Sequence, residues 1–262
     1  MSYCDTTGPV IRVSHVESDV ADHCNLSCAG CNHFAPRFRA GFYSIHDFRA
    51  DLAALRGILY ATSWYLIGGE PLLNPRLTDY ARALKEAHIC SRVDLWTNGL
   101  ALPDWKDPEL FPLLSTMVIS RYPGVCYKRL DEWLEATKLP CQVREIKYGG
   151  FIHSLADAEQ SPEMAQATFD RCKPRRSCHL VYRGRYYLCP QSCRIPVVLN
   201  RREIEDGCDL HWPDLEMRLR DHLKDVRPML GTCKLCRAYE GPSLPHRQEP
   251  VPVSEKVGYE HS

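Results

Sequence analysis

Short apolar runs alternate with helix-patterned segments through the first 150 residues, and this alternation restricts the fold more than any other feature of the chain. Trp64–Ile67, Val93–Trp96, Met117–Ile119 and Gln142–Ile146 are brief, are closed by polar residues or glycine, and read as buried strands. Between them, Leu77, Tyr80, Ala81 and Leu84, and then Leu130, Trp133 and Leu134, keep the spacing that places apolar residues on one helix face. An earlier helix carries Phe48, Leu52, Leu55 and Leu59 on one stripe, with Ser44 and Asp47 offering a capping-box start. With a first strand near Val10–Val16, the pattern gives five or six parallel βα units in about 140 residues, where a closed eight-fold barrel takes roughly 250. An incomplete, laterally open (β/α)6-type TIM barrel is expected, with its chemistry at the carboxyl ends of the strands.

After Gly149 and Gly150 the alternation stops. The remainder holds seven of the 14 cysteines, a hairpin candidate, an amphipathic helix (Leu215, Leu219, Leu223, Val226) and a tail with Pro242, Pro245, Pro250 and Pro252. The expected organisation is a partial barrel over residues 1–155, a small cysteine-rich α+β domain over 156–240 and an extended or mobile proline-rich tail over 241–262. The 33 basic and 33 acidic residues cancel, which removes any global field for collecting nucleic acid or anionic membrane. No apolar run approaches the roughly 18 residues that span a bilayer, and the start MSYCDTTGPV has neither a basic n-region nor an h-region. The reading is therefore cytoplasmic, where thiols stay reduced. A chain of 262 residues also buries a core without staples, so this many cysteines point to metal or redox chemistry.

Cys24, Cys28 and Cys31 stand in HCNLSCAGCNHF, a C-x3-C-x2-C arrangement directly after the first strand. Thiolates this close in sequence face one centre only if the chain wraps around it as a loop, as it does at zinc sites and iron–sulfur clusters. Both normally take four ligands, and three leave one position open, which suits a catalytic centre. His23 and His33 flank the loop and offer a fourth ligand for zinc instead. Gly68 and Gly69 let the chain turn tightly at the end of the next strand, and the carboxylate of Glu70 is placed to pair with a cation there. Thr97 and Asn98 end the third strand, Ser120 and Arg121 the fourth, and Arg144 and Glu145 lie on opposite faces of the fifth, so that only one of the two looks into the barrel.

With these motifs in this order, YLIGGEPLLNP, LWTNG and VISRYPG following the cysteine loop at successive strand ends, residues 10–150 resemble the radical S-adenosylmethionine (radical SAM) enzymes. The resemblance implies a [4Fe-4S] cluster held by Cys24, Cys28 and Cys31, its fourth iron chelated by S-adenosylmethionine. It also implies S-adenosylmethionine contacts from Gly68, Gly69, Glu70, Thr97, Asn98, Ser120, Arg121 and Arg144. Many members carry an aromatic residue before the third cysteine; here that position is Gly30, and Phe34 follows instead.

The segment RCKPRRSCHLVYRGRYYLCPQSC contains a hairpin whose register follows from arithmetic. With Arg183 and Gly184 as a two-residue turn, partners sum to 367, which sets Cys178 opposite Cys189. Cys233 and Cys236, in CKLC, add the two-thiol turn of zinc and iron–sulfur sites. This part resembles the SPASM and shorter twitch extensions of radical SAM enzymes, which implies one auxiliary [4Fe-4S] cluster held by four of Cys172, Cys178, Cys189, Cys233 and Cys236. Cys172 fits the spacing of that pattern and Cys178 fits the hairpin; a structural zinc suits the same four thiolates. Cys193 and Cys208 are left over, as small buried hydrophobes or as hydrogen-atom donors to a substrate radical. Cys4, Cys90, Cys126 and Cys141 read as core or surface thiols. No HExxH, G-x-S-x-G or P-loop is present, while His15, His153 and His179 remain available to line a site.

The resemblance implies reductive cleavage of S-adenosylmethionine and hydrogen abstraction from carbon, driven by a flavodoxin or ferredoxin-type reductant. With only 23 residues before Cys24, a small polar, carbohydrate-like metabolite is expected as substrate, for oxidation or epimerisation. Peptide or amino-acid modification is the alternative reaction. A non-catalytic iron–sulfur or zinc module is the alternative of another class.

Overall fold

The computed structural model describes residues 4–238 and 240–259; residues 1–3 and 260–262, the outer ends of the first and last expected segments, lie outside the described residues, as does residue 239. The short β1 (Cys4–Asp5) runs antiparallel to β2 (Ile11–Ala21). The βα units then follow as α1 (Ile45–Leu55), β3 (Leu59–Gly68), α2 (Leu77–Ala87), β4 (Cys90–Thr97), α3 (Leu110–Leu113), β5 (Thr116–Arg121), α4 (Lys128–Ala136) and β6 (Gln142–Lys147). Strands β2 to β6 lie side by side in chain order, every pair parallel, and form the open, partial barrel. Among the described residues no helix is long and apolar enough to cross a membrane.

Strand alternation divides the sheet into two chemically different faces. Val16 and Val20, Trp64 and Leu66, Val93 and Leu95, and Met117 and Ile119 are buried on the outer face, in one core with Phe48, Leu52 and Leu55 of α1 and Tyr80, Ala81 and Leu84 of α2. Glu17, Ile67, Trp96 and Ser120, on the opposite face of the same strands, line a cavity. The Ser44 cap forms as expected, its hydroxyl accepting from the Asp47 amide at 3.4 Å. Two boundaries move. β2 continues to Ala21, and Leu59 opens β3 instead of closing α1. The strand expected to be buried at Gln142–Ile146 is the exposed edge of the sheet, with Val143 37% accessible, because no sixth βα unit follows to cover it.

Beyond β7 (Gly150–Ile152) come α5 (Pro162–Arg171), α6 (Pro174–Ser177), β8 (His179–Tyr182), β9 (Arg185–Tyr187), α7 (Pro190–Val198), β10 (Cys208–Asp209) and α8 (Leu215–His222). The β8–β9 hairpin has the derived register, Leu180 facing Tyr187 and Tyr182 facing Arg185. Arg183 at φ 48° and Gly184 at φ 77° make the positive-φ pair that such a two-residue turn needs. β8 pairs in parallel with β2, so this hairpin extends the barrel sheet. Its ladder stops at Leu180 and Tyr187, and Cys178 and Cys189 diverge beyond it. The described part of the tail lies against the barrel mouth: β11 (Ser243–Pro245) pairs with β7, and Val257 exchanges backbone hydrogen bonds with Arg37 and Arg39.

Arg194 of α7 fastens the cysteine-rich part to the barrel. Its fully buried guanidinium donates to Asp19 on β2, from Nε at 2.9 Å, and to Asp22 at 3.2 Å, and lies 4.8 Å from the ring centroids of both Phe38 and Tyr182. Burial pushes the Asp19 carboxyl up, but Arg194 together with His33 outweighs it and holds the group well below the ordinary carboxylate range. Its contribution to stability is therefore present above pH 3.8 and lost as pH falls from there. Arg194→Met leaves Asp19 buried without its guanidinium and is expected to cost about 3 kcal/mol or more at neutral pH. Urea denaturation checks this, and an unchanged midpoint would show that the pair does not hold the two parts together.

Candidate active site

The site begins where two backbones meet. The Gly69 amide donates to the Ala21 carbonyl at 2.7 Å and the Glu70 amide to the His23 carbonyl at 2.9 Å, so the end of β3 is fastened to the residues just before Cys24. A side chain is excluded there: a Cβ on Gly69 would stand 2.0 Å from the His23 oxygen. Gly68 adopts φ 127°, a conformation open to glycine, beside the same segment. The two glycines therefore set the position of the cysteine loop as well as turning the chain.

Glu70 is fully buried, and its carboxylate accepts from the Leu72 amide at 3.1 Å, the Thr97 hydroxyl at 2.5 Å and the Asn98 amide at 2.8 Å. Burial pushes it up to about 7 despite these donors. It thus ties the end of β3 to the end of β4. Asn98 extends the tie to the cysteine loop, its amide nitrogen 2.7 Å from Asn25 Oδ1 and 3.5 Å from Cys24 Sγ.

Each thiol of the loop meets N–H groups. Cys24 Sγ accepts from the Leu26 amide at 3.3 Å. Cys28 Sγ stands 3.2 Å from His246 Nε2 and 3.5 Å from Gln248 Nε2, both from the tail. Cys31 faces backbone amides of residues 33–35. Burial pushes all three thiols up, Cys28 to about 11, so a metal centre here would displace their protons. Three thiols, Cys28 buried and Cys24 and Cys31 partly so, with N–H donors around sulfur fit the donor set of an iron–sulfur cluster that keeps one corner open. His33 Nδ1 bonds Asp19 at 3.1 Å and His23 Nδ1 accepts from the Gly41 amide at 3.4 Å, which fixes both rings beside the loop through one nitrogen each.

Cys24, Cys28 and Cys31 line one cavity of about 480 Å³ together with Gly68, Gly69, Glu70, Thr97, Asn98 and Ser120. Two expected contacts do not reach it. Arg121 spends its guanidinium on Asp131 and Glu145, and Arg144 sits exposed on the edge strand β6. The aromatic residue nearest the third cysteine in sequence is not the one that lines the cavity. Phe34 packs away with Phe38, Ile195 and Leu235, while Phe151 enters the cavity and would stand 3.3 Å from a Cβ on Gly30. Tyr122, Tyr148 and Phe151 form an aromatic wall, with Tyr122 stacked on His246 at 5.0 Å. Only the small residue at position 30 hinted in sequence that a distant ring would enter.

Cys172, Cys189, Cys233 and Cys236 gather around a second, small cavity beside Phe169 and Thr232. The Ala238 amide donates to Cys236 Sγ at 3.2 Å, and Gln160 holds the carbonyls of Cys233 and Cys236. The geometric choice between Cys172 and Cys178 falls on Cys172. Cys178 lines the first cavity instead, because the hairpin ladder ends before it. Neither leftover thiol reaches that cavity: Cys193 is buried in the main core 3.4 Å from the Tyr259 hydroxyl, and Cys208 lies in a groove beside α8. Of the three histidines, His15 stacks on Tyr65 at 4.7 Å, His153 lines a groove by the tail, and His179 is buried with neither ring nitrogen bonded.

No protein-family model matches the sequence, and no curated relative matches it. Solved structures do. The crystal structure of BtrN in complex with AdoMet and 2-DOIA is 16% identical and superposes with a TM-score of 0.51, covering 88% of this chain and 98% of that one. The open conformation of BtrN gives 16% identity and a TM-score of 0.50 over 89% and 94% of the two chains. The chain has the radical SAM fold. The likeness extends past the partial barrel into the cysteine-rich part, since 88% of the chain is more than residues 10–150 supply. Here the cysteine loop after β2 and the ends of β3, β4 and β5 share one mouth of the partial barrel, and the cavity lies there.

Gly69→Ala is expected to displace the cysteine loop by backbone collision and to lower iron bound after anaerobic reconstitution to the level of Cys24→Ala. Full iron content in Gly69→Ala would show that the loop is held some other way.

Proposed function

We propose that this chain is a radical SAM enzyme that cleaves S-adenosylmethionine reductively and removes hydrogen from a small polar, carbohydrate-like metabolite. The observation that carries the reading is the convergence of the three loop thiols, the Gly68–Gly69–Glu70 turn and Asn98 on one cavity at the carboxyl ends of parallel strands. Cys24, Cys28 and Cys31 would hold the [4Fe-4S] cluster. Such a cluster would supply the electron for reductive cleavage of S-adenosylmethionine, the chemistry that makes hydrogen abstraction from carbon accessible. The protein's part is positioning and exclusion of water. Gly68 and Gly69 bring backbone to the cavity wall, Asn98 and Ser120 offer hydrogen bonds to the methionine or ribose portion, and Tyr148 and Phe151 supply flat apolar surface for adenine.

Cys172, Cys189, Cys233 and Cys236 fit an auxiliary [4Fe-4S] cluster by donor type, number and convergence. A one-electron donor of the flavodoxin or ferredoxin type would feed the system, in the reducing cytoplasm where the thiols persist. The likeness to BtrN, solved with AdoMet and 2-DOIA, supports a small substrate. Between the two outcomes, oxidation and epimerisation, Cys178 favours epimerisation. It lines the cavity, and its thiol carries a hydrogen atom that a substrate carbon radical would take. The sulfur radical left behind then needs one electron from the reductant and one proton.

Two measurements test this. Anaerobically reconstituted protein given dithionite is expected to form 5′-deoxyadenosine from S-adenosylmethionine, and absence of that product removes the enzyme reading. Iron is expected near eight per chain, falling by about four in Cys172→Ala and unchanged in Cys178→Ala; equal loss in both variants would contradict the ligand set.

A further inference from the structure

One wall of the main cavity carries hydrogen-bonding groups that nothing among the described residues satisfies. Glu17 of β2 is 8% exposed; His15 Nε2 stands 3.9 Å from one carboxylate oxygen, and the other oxygen has no partner. The indole N–H of Trp96 on β4 and the side-chain amide nitrogen of Gln191, 3% exposed at the start of α7, line the same cavity and also lack partners. Buried polar groups are normally paired, and these unmet groups from three elements, with the Asn32 side-chain oxygen of the cysteine loop as a fourth around the same cavity, mark the place of a ligand.

The charge balance around Glu17 indicates what kind. His15, on the same strand, is pushed down to about 4 by burial and supplies no positive charge. Asp19, also on β2, is paired with Arg194, and His33 of the cysteine loop is bonded to Asp19. Tyr65 of β3 and Cys178 before β8 complete the surroundings, both kept protonated by burial. Burial pushes the Glu17 carboxyl up to about 7, and the positive group that acts on it, His33, is bonded to Asp19 instead, so Glu17 is enclosed without a bonded counter-ion of its own. Resting on the proposed reading of this cavity as the radical SAM site, we propose that Glu17, Trp96 and Gln191 form a subsite for an amine-bearing polyol. The ammonium group pairs with Glu17, and hydroxyl oxygens accept from Trp96 and Gln191. A metal ion is the competing occupant, because His15, Glu17 and Cys178 place ligand atoms within 4.8 Å of one another. The Trp96 and Gln191 donors favour the amino-polyol, whose hydroxyl oxygens accept from them directly while its ammonium meets the carboxylate, whereas a metal ion would reach them only through bound water.

The test is calorimetric titration of the anaerobic holoprotein, loaded with S-adenosylmethionine, using matched pairs: glucosamine against glucose, and 1-amino-1-deoxysorbitol against sorbitol. In at least one pair the amine is expected to bind about tenfold tighter than its hydroxyl counterpart, a preference that Glu17→Gln abolishes while its circular dichroism and iron content match the native protein. Equal affinities within both pairs, no binding of either amine, or a preference retained in Glu17→Gln overturns the subsite. Stoichiometric zinc in native protein that is lost from Glu17→Gln overturns it in favour of a metal. The native protein's 5′-deoxyadenosine assay is read separately: its failure beside a retained amine preference would remove the reaction and leave the subsite standing.

Discussion

The whole site depends on one backbone approach, the end of β3 lying against the residues before Cys24 so closely that position 69 has no room for a side chain. From it the other contacts follow. Glu70 is drawn inside, where an isolated carboxyl would be costly, and three donors from its own turn and the end of β4 make the burial tolerable. Asn98, fixed by that contact, reaches back to the cysteine loop. Loop, turn and strand end therefore behave as one unit in which each part is positioned by the next.

The second organising feature is the asymmetry of β2. Its outer residues are ordinary core, and its inner residues, Glu17 and Asp19, are acidic and buried. Asp19 is answered from within the chain by Arg194, which brings α7 and with it the cysteine-rich part against the barrel. Glu17 is left unanswered beside the cavity. The same strand thus supplies both the attachment of the second part and an unmet group facing the cavity. The tail adds a further constraint, because His246 and Gln248 reach Cys28 while the backbone on either side pairs with the cysteine loop.

Much of this was legible in the sequence where the governing interaction is local. The βα alternation, the Ser44 cap and the Arg183–Gly184 turn are set by periodicity and backbone preference, and they formed as read. The cysteine loop and the glycine turn were legible because few other chemistries use that spacing. Contacts decided by distant segments were not. Arg121 looked available until Asp131 and Glu145 arrived from α4 and β6, and Arg144 looked buried until the sheet ended at its strand. Phe151 took the place expected of an aromatic near Cys31, and the proline-rich tail found partners on the cysteine loop. Cys172 and Cys178 could be separated only by knowing where the hairpin ladder ends.

The central claim is that Cys24, Cys28 and Cys31 hold a cluster open to S-adenosylmethionine at one corner. Electron paramagnetic resonance of the dithionite-reduced protein, recorded with and without S-adenosylmethionine, addresses it most directly. The account predicts a reduced-cluster signal whose shape changes when S-adenosylmethionine is added, with that responsive component missing once the three cysteines are replaced by alanine. A signal identical in both conditions, or one that survives loss of the triad unaltered, would contradict it.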